Sequence, residues 1–240
     1  MGSPRLREVL ERIDAALLEG VLPLAVFDLD STLFTTAPRN LRILREFAHA
    51  GAGRWPEVAE TVATLAIEDM GWGVADCLRE RGLSDGSMLR ELRAFWQKRF
   101  FSDAYLEHDL PVPGAVEFVS ACHDRGAMIY YLTGRHVGGM EVGTVRALGA
   151  HGFPFWRGRC VLHLKPSSDM SDRAFKDDAL EDVRSYRGRV VATFENEPGN
   201  ANAFLRAFPG ALHFLMRTIH SPKAEPPSPD LLSTDDFRLP

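Results

Sequence analysis

Five short apolar runs, separated by segments of helical pattern, constrain this chain more than any other feature. The runs fall at 24–29, 127–132, 160–164, 189–194 and 211–216, and helical patterns fill 114–125, 138–149, 172–184 and 200–207. Nearly continuous apolar strands suit a parallel sheet covered on both faces. Strict alternation of strand and helix implies that sheet, with helices packed on either side. The expected class is therefore α/β, a doubly wound parallel sheet.

Two segments break the alternation. Residues 4–19 set Leu6, Val9, Leu10, Ile13 and Leu17 at helical spacing, and Gly20 ends that helix. Between 38 and 110 the pattern is purely helical. Asn40 reads as a helix cap before Leu41, Leu44 and Phe47, Pro56 suits a first helical turn, and two further helices follow around Cys77 and Leu92. Trp55, Trp72 and Trp96 are expected to form the core of this block, with the alternative that one or two of them face a ligand instead. The chain thus divides into an α/β core (1–37 and 111–220), an inserted helical block (38–110) and a proline-rich tail (221–240), which is expected to be extended or partly disordered. The insert leaves the core at the carboxyl end of the first strand, where ligands bind in open α/β sheets.

Composition excludes some partners. A formal net charge of −5 offers no electrostatic footprint for nucleic acid. No apolar run approaches the roughly 18 residues of a membrane span, and no leader pattern precedes the first helix. Cys77, Cys122 and Cys160 form neither a disulfide framework nor a CxxC site, so they are expected as buried thiols in a cytoplasmic protein. Nothing in the sequence indicates an oligomeric state.

The first strand ends in "FDLDST", with Asp28 and Asp30 two residues apart. Burying a charge is costly unless it is paired or bound to a cation, so this placement points to chemistry. "DLDST" resembles the first motif, DxDx[TV], of the haloacid dehalogenase-like superfamily. Thr133 in "YLTGR" stands at the end of the second strand, where that superfamily has its second motif. Lys176 in "RAFKDDAL" opens the helix before the fourth strand, which runs into "FENEPGNANAF". Lys165, in "LKP" after the third strand, is a rival for the lysine role.

The resemblance implies a Rossmann-like core with an all-helical cap inserted after the first motif. It also implies Mg²⁺-dependent hydrolysis of a small phosphorylated substrate through an aspartyl-phosphate. Asp28 would be the nucleophile, and Asp30 the acid and base for the leaving oxygen and the attacking water. Thr133, Gly134, Arg135 and Lys176 would hold the phosphoryl group. Two unit charges about 4 Å apart repel by roughly 4 kcal/mol at an effective dielectric of 20, so a carboxylate attacking a phosphate needs such cations. The metal would take the Asp28 carboxylate, the Asp30 main-chain carbonyl, and either Glu195 or Asn196. That last choice stays open, because the fourth motif departs from the common GDxxxD form, with Asn196 and Asn200 where aspartates are usual.

Other readings compete. "GLSDG" at 82–86 satisfies GxSxG, but a helix rather than a strand precedes it, so a helix-to-helix turn is expected instead of a serine nucleophile. Asp28 and Asp30 taken alone would also serve as helix caps. A phosphomutase shares the core chemistry, and the paired asparagines are compatible with a binding or regulatory protein of reduced activity. His108 and Asp109 stand where the block rejoins the core and His220 follows the last strand near the same edge; surface or hinge positions are expected, with pocket lining as the alternative.

Overall fold

The computed structural model describes residues 3–239. In chain order the elements are α1 (Leu6–Leu18), β1 (Pro23–Phe27), β2 (Phe34–Thr35), α2 (Ala37–Ala50), α3 (Pro56–Ala63), α4 (Asp76–Arg79), α5 (Gly86–Phe100) and β3 (Leu110–Pro111). There follow α6 (Ala115–Asp124), β4 (Met128–His136), α7 (Val137–Ala150), β5 (Cys160–Lys165), α8 (Asp172–Ser185), β6 (Arg189–Glu195), α9 (Pro198–Ala207), β7 (Leu212–Met216) and β8 (Leu232–Thr234).

Six strands form one sheet in the order β5-β4-β1-β6-β7-β8, and each neighbouring pair is parallel. Alternation along a strand sends successive side chains to opposite faces. Ala25 and Phe27 of β1 accordingly join α1 and α6 in one buried cluster, while Leu24 and Val26 join α8 in another. Across the sheet Phe27, Phe194 and Phe214 stand in register on β1, β6 and β7. Their rings stack at 4.8 and 4.7 Å, which ties the three central strands together.

The segment from α2 to α5 packs around its own apolar residues, among them Leu44, Leu78 and Leu92. The antiparallel pair of β2 and β3 brings the two ends of that segment together. Asn40 is not the cap of α2. Pro38 sits in the first turn and Thr36 takes the cap position, leaving Asn40 buried inside the helix, where its Oδ1 accepts from Trp96 Nε1 at 2.7 Å. At "GLSDG" the chain turns from helix to helix as expected, with Asp85 capping α5 through the Met88 N–H at 2.7 Å. Trp72 is 56% exposed, so it is not a core residue of this block. The cysteines are unpaired, and Cys160 is only partly buried. Among the described residues no helix is long and apolar enough to cross a membrane.

The tail departs from expectation. It is extended, but Leu232–Thr234 pairs with β7 as a sixth strand, and Phe237 is 1% exposed. The Phe237 ring lies 5.2 Å from Phe194 and 5.7 Å from Phe118, and its N–H donates to the Pro113 carbonyl at 2.9 Å. A three-residue strand carries too little periodicity to show in sequence, and the prolines around it mask the anchor. Phe237→Ala should lower unfolding free energy by about 3–5 kcal/mol in urea titrations, the usual range for emptying a buried phenylalanine site. A loss below about 1 kcal/mol would mean that the tail is not part of the core.

Candidate active site

Because β4, β1 and β6 are neighbours, their carboxyl ends meet. Asp28 follows the last residue of β1, and its N–H extends the ladder by donating to Phe194 O at 3.0 Å. Thr133 lies in β4, Glu195 closes β6 and Asn196 follows it. Lys176 enters from the first turns of α8. Its Nζ donates to Asp28 Oδ1 at 2.7 Å and to Glu195 Oε2 at 2.5 Å. All three side chains are buried. Glu195 Oε1 accepts from the N–H groups of Asn196 and Glu197 at 3.1 and 3.0 Å, which fixes the loop after β6.

This cluster holds two carboxylates against one ammonium. Burial and the neighbouring Glu195 together push the Asp28 carboxyl up to about 7, although Lys176 acts in the opposite sense. Burial works against the charge on Lys176, but the Asp28 and Glu195 carboxylates outweigh it and hold the ammonium above its ordinary range. The cluster therefore keeps a surplus of negative charge that a cation would relieve.

Its oxygens suit a hard cation. Among the described residues Asp28 Oδ2 accepts no protein hydrogen bond, and Asn196 Oδ1 accepts only a long one of 3.4 Å from the Thr32 hydroxyl. Glu195 has both oxygens engaged. No group of three or more His, Cys, Asp or Glu is placed to hold a metal among the described residues. A carboxylate or two, an amide oxygen and waters are nevertheless a donor set that Mg²⁺ accepts.

Asp30 is held by a second charge network. Its Oδ1 accepts from Arg39 at 3.0 Å and from Arg135 Nε and a terminal nitrogen at 3.0 and 2.5 Å. Asp109 closes the group, with ion pairs of 2.9 Å to Arg39 and 2.8 Å to Arg135. Arg39, Arg135 and Asp109 are all inaccessible to solvent. Burial opposes ionisation of Asp30, but Arg135 and then Arg39 outweigh it and bring its carboxyl down to about 2. Burial prevails at Asp109, pushing it up to about 6 despite the same two arginines.

All eight sequence-expected residues line one cavity of about 930 Å³: Asp28, Asp30, Thr133, Gly134, Arg135, Lys176, Glu195 and Asn196. Thr133 Oγ1 accepts from the Arg135 N–H at 3.2 Å. At Gly134 a Cβ would stand 2.8 Å from the exposed Asp172 carboxylate, so a side chain there would displace Asp172. Asp172 also accepts from Lys165 Nζ at 2.6 Å, which draws that rival lysine away from Asp28. One expectation needs correction. Arg135 was expected at the phosphoryl group, but its donors go to Asp30, Asp109 and Thr144. Asp30, expected as a proton carrier, stands as a carboxylate for as long as Arg135 and Arg39 hold it. Arg39 gave no sign in the sequence, where it resembles any solvated arginine of an amphipathic helix; Asp109 gave only its place at the edge of the block.

A family model described as haloacid dehalogenase-like hydrolase matches residues 22–192. No curated protein matches the chain. Among solved structures, a chain from Clostridium difficile provisionally described as a phosphatase superposes with a TM-score of 0.55 at 13% identity, covering 85% of this chain and 89% of that one. Protein tyrosine kinase A of Mycobacterium tuberculosis superposes with a TM-score of 0.51 at 16% identity, covering 89% and 93%. At such identities the likeness is one of fold.

The raised Asp28 carboxyl has a stability consequence in metal-free protein. A folded-state pKa above the unfolded value means that ionised Asp28 destabilises the fold above about pH 7, and that the penalty fades as pH falls toward about 4. Asp28→Asn should therefore be more stable than wild type at pH 8, by a margin that shrinks toward pH 5. Urea midpoints measured with a chelator present check this, and a margin independent of pH would contradict the charge assignment.

Proposed function

The chain belongs to the haloacid dehalogenase-like hydrolase family, and on that premise we propose that it is a Mg²⁺-dependent phosphatase of small phosphate monoesters. The observation that carries the reading is Lys176 Nζ, 2.7 Å from Asp28 and 2.5 Å from Glu195 on the lining of a cavity of about 930 Å³. A buried nucleophilic carboxylate with an adjacent fixed cation suits attack on an anionic phosphorus centre. Mg²⁺, held by the Asp28 carboxylate, the Asp30 carbonyl and Asn196 or Glu195, would supply charge neutralisation for the phosphoryl oxygens. Because Glu195 is already committed to Lys176 and two N–H groups, Asn196 is the better candidate of the two.

In the first step Asp28 forms a bond to phosphorus as the bond to the leaving alcohol oxygen breaks. Lys176 orients Asp28 and offsets charge on the transferred group, and the Thr133 hydroxyl and neighbouring N–H groups bind its oxygens. Asp30 gives a proton to the leaving oxygen and takes one from the water that cleaves the aspartyl-phosphate. Carrying that proton requires Asp30 to loosen from Arg135, a residue of β4, as well as from Arg39, a residue of α2. The helical block is the cap in this reading, and its position sets one of the two restraints on Asp30, the contact with Arg39.

Phosphate release from sugar, nucleotide and small organic phosphates, with and without Mg²⁺, tests the proposal. Turnover should need the metal and fall roughly 10³-fold or more in Asp28→Asn. Undiminished activity in that variant would sink the mechanism. Asp30→Asn should lower kcat/KM about 10²–10⁴-fold for alkyl phosphates. The loss should be much smaller for 4-nitrophenyl phosphate, whose leaving group needs no proton. Equal losses would remove the acid role from Asp30.

A further inference from the structure

Much of the cavity lies beyond the reach of a phosphoryl group, and aromatic side chains from the helical block line it. Trp96, Phe100 and Phe101, at the end of α5 and just past it, all face this space. Their rings contact one another at centroid distances of 4.5, 5.5 and 5.1 Å. Trp96 is pinned by the hydrogen bond from its Nε1 to Asn40. Phe100 is pinned under the Arg39 guanidinium, 3.9 Å from the ring centroid. Phe101 remains 40% exposed.

A second aromatic reaches the same cavity from the segment before α4. Trp72 lies between Gly71 and Gly73, and all three line the space. Among the described residues no ring contact is recorded for Trp72, and the side chain is 56% exposed. Exposing an indole to water forgoes the largest apolar burial any residue offers. A platform of fixed rings and an unpartnered indole on one cavity are the elements from which flat π-systems are recognised by stacking.

We infer that this cavity takes phosphate monoesters whose alcohol part carries a planar aromatic ring, bound by stacking on the wall formed by Trp96, Phe101 and Trp72. The inference rests on the proposed phosphatase reading for the position of the phosphoryl group, and adds the class of the group attached to it. The ring lies toward the helical block, and the phosphoryl group lies at Asp28 and Lys176. Arg39 touches both Phe100 and Asp30, so the aromatic wall and the proton-carrying carboxylate share one anchor.

Adenosine 5′-monophosphate and ribose 5-phosphate share the same phosphate ester and differ in the ring, so the pair isolates its contribution. Calorimetry on the Asp28→Asn protein with Mg²⁺ should give a Kd for the nucleotide about ten- to a hundredfold below that for the sugar phosphate. Trp72→Leu in that background should bring the ratio most of the way to one. Trp96→Leu should do the same, and Trp96→Phe should restore part of it. A ratio near one in the parent, or a large ratio that neither tryptophan variant moves, overturns the inference. Benzyl phosphate should also bind more tightly than cyclohexylmethyl phosphate; the reverse order would make the wall a general apolar surface and overturn the requirement for planarity. Wild-type turnover separates the two readings. Ring-dependent binding without phosphate release leaves the aromatic subsite standing and removes the phosphatase, whereas Mg²⁺-dependent release with no ring preference does the opposite.

Discussion

Two buried carboxylates facing one buried ammonium set the terms for the rest of this molecule. Asp28, Glu195 and Lys176 come from the residue after β1, from β6 and from α8, so their contact exists only while those three elements are packed as they are. The fold holds them with a stacked row of phenylalanines across β1, β6 and β7 and with apolar clusters on both faces of the sheet. Isolated buried charges would be intolerable, and paired ones persist only with close geometry. Here that geometry leaves one negative charge in surplus on the lining of a cavity, where a cation and an anionic group can both be received.

The second network links the α/β core to the helical block. Asp30 and Arg135 belong to the core strands' ends, Arg39 to α2, and Asp109 to the segment returning from the block. Two cations and two carboxylates alternate, all but Asp30 closed to water, so each cation is matched from both sides of the junction. Such an arrangement resists separation of the two parts more by the cost of leaving a charge unpaired than by the strength of any one bond. Asp30 thereby has its protonation tied to Arg135 of the core and, through Arg39, to the posture of a helix that carries none of the expected chemistry.

Much of this was legible in the sequence. The strand and helix order, the termination of α1 at Gly20, and the helical insertion after the first strand follow from periodicity, because burial on one face is a local property of spacing. The Asp28–Asp30 pair, Thr133 and Lys176 were visible because each stands at a strand end or helix start. Arg39 was not visible, since an arginine among polar residues of an amphipathic helix has no local mark of burial. The tail was misjudged because three paired residues and one buried phenylalanine leave no period to detect. Trp72 looked like core because its exposure depends on where a glycine-flanked segment lies.

By itself, then, the sequence determined the class of fold, the order of its elements and the placing of carboxylates at the end of a buried strand. Local spacing encodes those. Only the tertiary structure decided that Lys176 and not Lys165 reaches Asp28, that Arg135 serves Asp30, and that Arg39 and Asp109 complete the group. Those contacts join residues as far apart as 148 positions for Lys176 and Asp28 and 105 for Arg135 and Asp30. Strand order is what brings them together: β1 lies between β4 and β6 through crossover connections that no local pattern records.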